Sequence, residues 1–86
     1  MLHDFRWIDW NIEKIEKHGV FAPAVEAVVN TGSPRKMSGG RYTVAGPMPG
    51  GLWIQVVYTL DDDGTVFVLH ARSLTPDEAK RARRRR

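Results

Sequence analysis

Five side chains in this sequence have the chemistry to handle a proton or a phosphate group, and they fall at three places along the chain. The first place holds Lys17 and His18, the second holds Arg41, and the third holds His70 and Arg72. Histidine exchanges protons near neutral pH, and arginine is a planar donor that binds phosphate through two nitrogens. Breaking a phosphate ester without a metal requires a base for the attacking hydroxyl, an acid for the leaving oxygen and cations for the charge on phosphorus. These five residues are therefore the candidate catalytic residues.

Each candidate also has a structural explanation that the sequence leaves open. Lys17 and His18 fall in the last turn of a predicted helix, where cations interact favourably with the helix dipole. His70 fits equally well as a structural histidine within a strand. Arg72 directly precedes a helix, so its guanidinium group is placed to pair with an acid in the first turn of that helix.

The basic residues are concentrated at the end of the chain. From Arg72 onward there are seven basic and two acidic residues, whereas the part before it is close to neutral. This asymmetry indicates a polyanionic partner, either RNA or an acidic protein. The candidate RNA-binding residues lie in the predicted last helix, and they are Lys80, Arg81, Arg83 and Arg84. Removal of residues 83–86 is expected to weaken RNA binding and flatten its salt dependence.

Length and composition predict one cytoplasmic globular domain over residues 1–86. Hydrophobic residues make up 42% of the chain and charged residues 27%, which is ordinary for a folded protein, and there is no cysteine for a disulfide or a thiolate metal site. The N-terminal segment lacks the apolar stretch of a signal peptide, and no apolar run approaches the roughly 20 residues of a membrane span. The aspartates at 61–63 beside Gly64 indicate a turn, so no metal or cofactor is predicted.

Capping signals and apolar spacing predict three helices. The first begins with Asp9 as its N-cap and ends at Gly19. The second runs from about Ala22 to Asn30, with a proline in its first turn. The third begins at Thr75, where Glu78 three residues later completes a capping box.

The stretch between the second and third helices predicts a loop over residues 35–40 and then a meander of three antiparallel strands. These strands are Arg41–Gly46, Leu52–Leu60 and Thr65–Ser73. A short edge strand is also expected at Phe5–Ile8. The predicted fold is therefore a small α+β domain in which the first two helices pack on a three-stranded sheet and a third helix follows.

Alternation along the strands predicts which side chains share a face of the sheet. The face with Val44, Ile54 and Leu69 is expected to pack on the first two helices. The opposite face would carry both polar candidates and apolar side chains, namely Arg41, Thr43, Gln55, Thr59, His70 and Arg72 together with Trp53, Val57, Val66 and Val68. Such a face is too apolar to be left to water, so we expect the last helix or a partner to cover it.

Several short motifs occur in an order that resembles one known family. An F-x-W motif, a helix ending in K-H-G-V, an R-Y pair that opens a strand, and a strand ending in A-R before T-x-x-E are similar to those of the BrnT-type toxins. These toxins belong to the RelE/ParE-like group of bacterial toxin–antitoxin ribonucleases. The resemblance runs nearly end to end and rests on Phe5, Trp7, Asn11, Lys17, His18, Gly19, Val20, Arg41, Tyr42, Gly46, Ala71, Arg72, Thr75 and Glu78.

The resemblance implies a metal-independent RNA endonuclease that acts on free or ribosome-associated RNA and inhibits growth. It also implies a cognate antitoxin, encoded by a neighbouring gene, that neutralises the toxin in a hetero-oligomer. The family strand usually reads R-I-I-S-A-R, whereas Phe67 and His70 replace the first arginine and the serine here. The alternatives are a catalytically silent RNA-binding module and a protein-interaction module of the same fold.

Overall fold

Three helices and a four-stranded antiparallel sheet make up the computed structural model, which describes residues 2–85. The strands lie in the order β1-β2-β3-β4, so neighbours in the chain are neighbours in the sheet. The elements are α1 (Asp9–Glu16), α2 (Ala22–Thr31), β1 (Arg35–Lys36), a 3-10 turn (Ser38–Gly40), β2 (Arg41–Pro47), β3 (Trp53–Leu60), β4 (Val66–Ser73) and α3 (Pro76–Arg84). No helix in this part of the chain is long and apolar enough to cross a membrane.

The sheet has one strand more than the sequence predicted. Residues 35–40 were expected to form a loop, but Arg35 pairs with Thr43 and Lys36 with Tyr42. A tight turn reverses the chain, since the backbone N–H of Met37 donates to the carbonyl of Arg41 at 2.7 Å. The prediction of three strands is therefore wrong, since the sheet also contains β1. The sequence could not reveal β1, because two residues are too few to show an alternating pattern.

The predicted helices are confirmed, with a different cap at the start of α1. Ile8, rather than Asp9, is the N-cap residue, and the side chain of Asn11 accepts a hydrogen bond from its backbone N–H at 2.8 Å. Asn11 is fully buried and also donates to the carbonyl of Arg6 at 3.0 Å. This buried amide joins the start of α1 to the N-terminal segment. The N-terminal segment does not form the expected edge strand, since it makes a single parallel bridge between Phe5 and Val66.

An irregularity in β4 reverses which side chains in the first half of that strand point to the core. Val57 pairs with His70 and Tyr58 with Val68, which leaves Leu69 as an extra residue. Such a bulge shifts the alternation of side chains by one position. Val68 is consequently buried in the core at 1% exposure, whereas the sequence placed Leu69 there.

The hydrophobic core lies between the sheet and the first two helices, as predicted. Helix α2 packs on β2 and β3, while α1 packs on β4, the last strand of the sheet. The core consists of Ile15, Val20, Val25, Val28, Val29, Val44, Ile54, Val56, Tyr58, Val66, Val68 and Ala71. Because α1 lies on the outermost strand, its C-terminal end comes close to the opposite face of the sheet.

Helix α3 covers one end of that opposite face. The predicted capping box is present, since Thr75 Oγ1 accepts from the backbone N–H of Glu78 and the Glu78 carboxylate accepts from that of Thr75. Trp53 is 8% exposed, with Ala79 buried and Arg83 over its ring. The helix therefore supplies the cover that the sequence left to either the helix or a partner.

Candidate functional site

The face of the sheet opposite the core, called here the outer face, holds most of the candidate residues in two neighbouring rows. Strand pairing places Thr43, Val57 and His70 in one row and Ala45, Gln55 and Arg72 in the next. These side chains alternate with buried core residues, so they point away from α1 and α2. The register therefore puts His70 and Arg72 on one side of the sheet.

Helix α1 ends beside this face and brings a second histidine to it. The imidazole rings of His18 and His70 meet edge to face, with their centroids 5.0 Å apart and an angle of 79° between their planes. His18 lies in the turn after α1, where its backbone N–H donates to the carbonyl of Ile15. Two residues that the sequence could only treat separately therefore form a pair.

The surroundings of His70 are positively charged. Partial burial lowers the pKa of His70 below its usual 6.5, and the nearby charges of His18, Arg72, Lys14 and Lys17 lower it further. A lowered pKa keeps the imidazole neutral at pH 7, where it can accept a proton. The same cations favour the binding of an anion such as phosphate. Four of the five candidate catalytic residues are thus close enough to influence the same place, the imidazole of His70. They are Lys17, His18, Arg72 and His70 itself.

Arg72 is held by an acid of α3. Its Nη1 and Nη2 donate to Oε1 and Oε2 of Glu78 at 3.0 and 2.8 Å, which is a bidentate ion pair. Hydrogen bonds from Arg72 and from Thr75 hold the pKa of Glu78 at about 2, well below its usual 4.5. The structural role foreseen for Arg72, pairing with an acid in the next helix, is therefore present.

A short hydrogen-bond chain continues from Arg72 across the outer face. Arg72 Nη2 donates weakly to Gln55 Oε1 at 3.4 Å, and Gln55 Nε2 donates to Thr43 Oγ1 at 3.1 Å. All three side chains are partly buried. The chain links the end of β4 to the middle of β2 and joins the two rows of the outer face.

Arg41 lies apart from the other catalytic candidates. It pairs with Thr59, which in turn faces Phe67, and its Nε donates to the carbonyl of Ser38 at 3.3 Å. Two strand spacings and two residues along the strand separate it from His70, which corresponds to roughly 12 Å. Arg41 therefore lies in a different row of the outer face from His70 and Arg72, and its guanidinium group is engaged by the turn before β2.

The basic residues of α3 divide between two sides of the helix. Arg81 lies over the outer face beside Gln55, and Arg83 lies with its guanidinium carbon 5.9 Å from the centre of the Trp53 ring. Lys80 and Arg84 are exposed. Only Arg81 among the four predicted RNA-binding residues therefore faces the polar rows of the sheet.

A groove between α3 and the sheet contains Arg35, which the sequence did not single out, and Arg85, which the sequence included only within the basic segment 83–86. This groove, called here the α3 groove, is lined by Arg35, Thr43, Gln55, Arg81, Ala82 and Arg85. Arg35 belongs to β1, whose pairing was not predicted, and Arg85 follows the last turn of α3. The basic composition of the tail pointed to α3 in general, but the choice of residues depends on how the helix is rotated against the sheet.

Phe67 takes part in an aromatic stack between β4 and α1. Its ring stacks on Trp10 with centroids 5.9 Å apart, and the guanidinium carbon of Arg6 lies 4.1 Å from its centre. Lys14 Nζ lies 5.2 Å from the Trp10 ring. The stack ties α1 to β4 and thereby helps to set the position of His18 beside His70.

The acidic hairpin between β3 and β4 acts as a turn. Thr65 donates its backbone N–H to Asp63 Oδ1, and Asp61 pairs with Arg6 at 2.9 Å. Among residues 2–85, no group of three or more histidine, cysteine, aspartate or glutamate side chains is arranged to hold a metal ion. Asp61 and Asp63 thus have a structural explanation.

The chain has no match among known protein families, curated proteins or solved structures. A functional proposal for this chain therefore depends on its own residues and geometry.

Proposed function

We propose that this chain is the toxin of a type II toxin–antitoxin system and that it cleaves RNA without a metal ion. The observation that carries the proposal is the meeting of His18 and His70 within a ring of positive charge, with centroids 5.0 Å apart. A pair of imidazoles can supply both the base and the acid that phosphodiester cleavage requires. The order of motifs that resembles the BrnT-type toxins supports the same reaction.

The proposed reaction divides the roles among the clustered residues. Neutral His70 removes the proton of the 2′-hydroxyl, and the resulting oxygen attacks phosphorus to form a 2′,3′-cyclic phosphate. His18 acts as the acid and gives a proton to the 5′-oxygen as the P–O bond breaks. Lys17 and Arg72 stabilise the negative charge that develops on the phosphoryl oxygens. Arg41, being more distant, is assigned to a neighbouring phosphate of the same strand.

The proposed partner is an antitoxin with an acidic or amphipathic segment. The exposed apolar sheet face that the sequence predicted is present only in part, because Trp53 and Val68 are buried at 8% and 1% exposure. What remains is the positive charge of the last helix together with exposed apolar residues elsewhere, such as Phe21 at 58% and Leu52 at 67%. Copurification with the product of the adjacent gene tests this, and a standard interface would bury on the order of 1,600 Å². A monomer with no affinity for that product would argue against an antitoxin.

A specific observation favours the second candidate, a silent RNA-binding or protein-interaction module. Both terminal nitrogens of Arg72 are engaged by Glu78, so this edge of the guanidinium group can bind a phosphate only when the ion pair opens. A module of this kind would bind RNA or protein through its basic residues without cleaving.

The two candidates are separated by cleavage assays on histidine variants. We expect His70→Asn and His18→Asn each to lower the cleavage rate by about 100-fold or more, and to relieve growth inhibition. His3→Asn is the matched control, because His3 is an exposed histidine whose backbone N–H contacts Asn30, far from the pair. Wild-type levels of cleavage in His70→Asn would refute the assigned site. A wild-type protein that binds RNA without cleaving it would establish the silent module instead.

A further inference from the structure

The α3 groove has the features of a binding site for an extended anion. Its arginines come from both walls, with Arg35 on β1 and Arg81 and Arg85 on α3. None of these three guanidinium groups forms a hydrogen bond or ion pair with another described side chain. The carboxylate that lines the groove, Glu78, is already neutralised by Arg72. The groove therefore presents three positive charges that no described side chain pairs with.

The floor of the groove is polar but uncharged. Thr43 Oγ1 accepts from Gln55 Nε2 at 3.1 Å and keeps its own hydroxyl hydrogen to donate. Gln55 likewise keeps a second amide hydrogen. Ala45 and Ala82 are small, so a flat group can approach the floor closely. Such a floor can hydrogen-bond to sugar hydroxyls or to the edges of unpaired bases.

The groove leads towards the histidine pair. Gln55 contacts Arg72 within one row of the outer face, and Thr43 occupies the adjacent row with Val57 and His70. A chain that leaves the groove and continues along these two rows would come to Arg72 and His70, which are the last members of the rows. Lys80 and Arg84, two of the residues that the sequence predicted to bind RNA, do not line this path.

We propose that the α3 groove is the track for single-stranded RNA, with Arg35, Arg81 and Arg85 on its phosphates and Thr43 and Gln55 on its sugars or bases. Walls formed by α3 and by the segment that contains Ser33 and Arg35 flank the floor, and single-stranded RNA leaves its sugars and base edges free to reach that floor. Guanidinium groups suit phosphate because they donate in pairs. The inference deepens the proposed ribonuclease function and rests on it for the identity of the ligand.

The test measures binding separately from cleavage. A fluorescent 2′-O-methyl oligoribonucleotide is the probe, because it lacks the hydroxyl that would attack phosphorus and cannot be cut. Its dissociation constant is measured between about 50 and 200 mM salt, since each phosphate contact to a single strand contributes about 0.7 to the slope of log affinity against log salt. Cleavage of unmodified RNA is followed in parallel.

Two pairs of variants are compared. Arg81→Gln with Arg85→Gln should flatten the salt slope by about 1.4. Lys80→Gln with Arg84→Gln removes the same charge from the same helix and also removes one like-charged pair at i,i+4, yet should change the slope by less than half as much. Arg35→Gln should flatten the slope by about 0.7, whereas Lys36→Gln on the other face of β1 should not. Thermal unfolding verifies that each variant is folded.

Several outcomes would overturn the α3 groove as a binding site for single-stranded RNA. The proposal fails if the two double variants in α3 change the salt slope equally. It also fails if the wild type does not bind the probe. Equally strong competition by a poly-glutamate peptide, or equal affinity for an RNA hairpin stem, would show that the site selects negative charge and not a single strand, which also overturns it. If the expected slopes appear but unmodified RNA is not cleaved, the groove stands while the ribonuclease proposal fails.

Discussion

The guanidinium group of Arg72 and the carboxylate of Glu78 form two hydrogen bonds, of 3.0 and 2.8 Å, between the last residues of β4 and the first turn of α3. Glu78 also accepts from the backbone N–H of Thr75 at 2.9 Å. One carboxylate therefore caps α3 and occupies the arginine that we propose for the scissile phosphate. A phosphate bound to Arg72 in the same bidentate way must take the place of Glu78.

This exchange predicts opposite effects for the two partners. Arg72→Ala should abolish RNA cleavage, because the transition state loses a donor, while the fold stays intact. Glu78→Gln should strengthen binding of an uncleavable oligonucleotide, because it frees the guanidinium group and removes a negative charge. Binding assays and circular dichroism on both variants check this. If Arg72→Ala cleaves like the wild type, the arginine has only its structural role.

The low pKa of Glu78 predicts loss of stability in acid. A carboxyl whose pKa is lower in the folded state than in the unfolded state contributes stability above the unfolded value, and that contribution is lost as the pH falls through the window between them. For Glu78 this window runs from 4.5 down to about 2. Urea unfolding across this range should show a shallower pH dependence for Glu78→Gln than for the wild type. Asp77→Asn, which removes an exposed acid from the same turn, is the control and should keep the wild-type slope.

The lowered pKa of His70 predicts a second pH dependence at higher pH. The folded state favours the neutral imidazole, so stability rises with pH between the folded pKa and the unfolded value of 6.5. Stability is lost as the pH falls through the folded pKa, and His70→Asn should remove this component. A bound phosphate should raise the pKa of His70, because it opposes the surrounding cations. Titration of the imidazole proton signals by NMR, with and without inorganic phosphate, measures both effects, and an unchanged pKa would contradict an anion site there.

The packing of α2 on β2 predicts a steric effect at Gly32. A Cβ atom at this position would meet Val44 Cγ2 and would lie 2.8 Å from the carbonyl oxygen of Val28. Since Gly32 has an ordinary negative φ of −84°, the cost of Gly32→Ala comes from overpacking, at about 1–3 kcal/mol. Gly46→Ala is the milder comparison, with 3.3 Å to Val28 Cγ1. Urea unfolding should rank the two variants in that order.

Sequence patterns alone were sufficient for the elements whose signals lie within a few residues. The capping box of α3 needs only Thr75 and Glu78, and the hairpin between β3 and β4 needs only its aspartates and Gly64. Local chemistry of this kind determines backbone conformation directly, because the donor and acceptor are already neighbours in the chain. The strong positive charge of the last helix is likewise a property of composition.

The tertiary structure decided what depends on residues distant in the chain. The bulge at Leu69 moved Val68 into the core, although alternation alone favoured the opposite facing. The meeting of His18 with His70 depends on α1 packing against β4. The assignment of Arg81 rather than Lys80 to the groove depends on how α3 is rotated against the sheet. Register and packing angle result from competition among many side chains for burial, and no short segment contains that information.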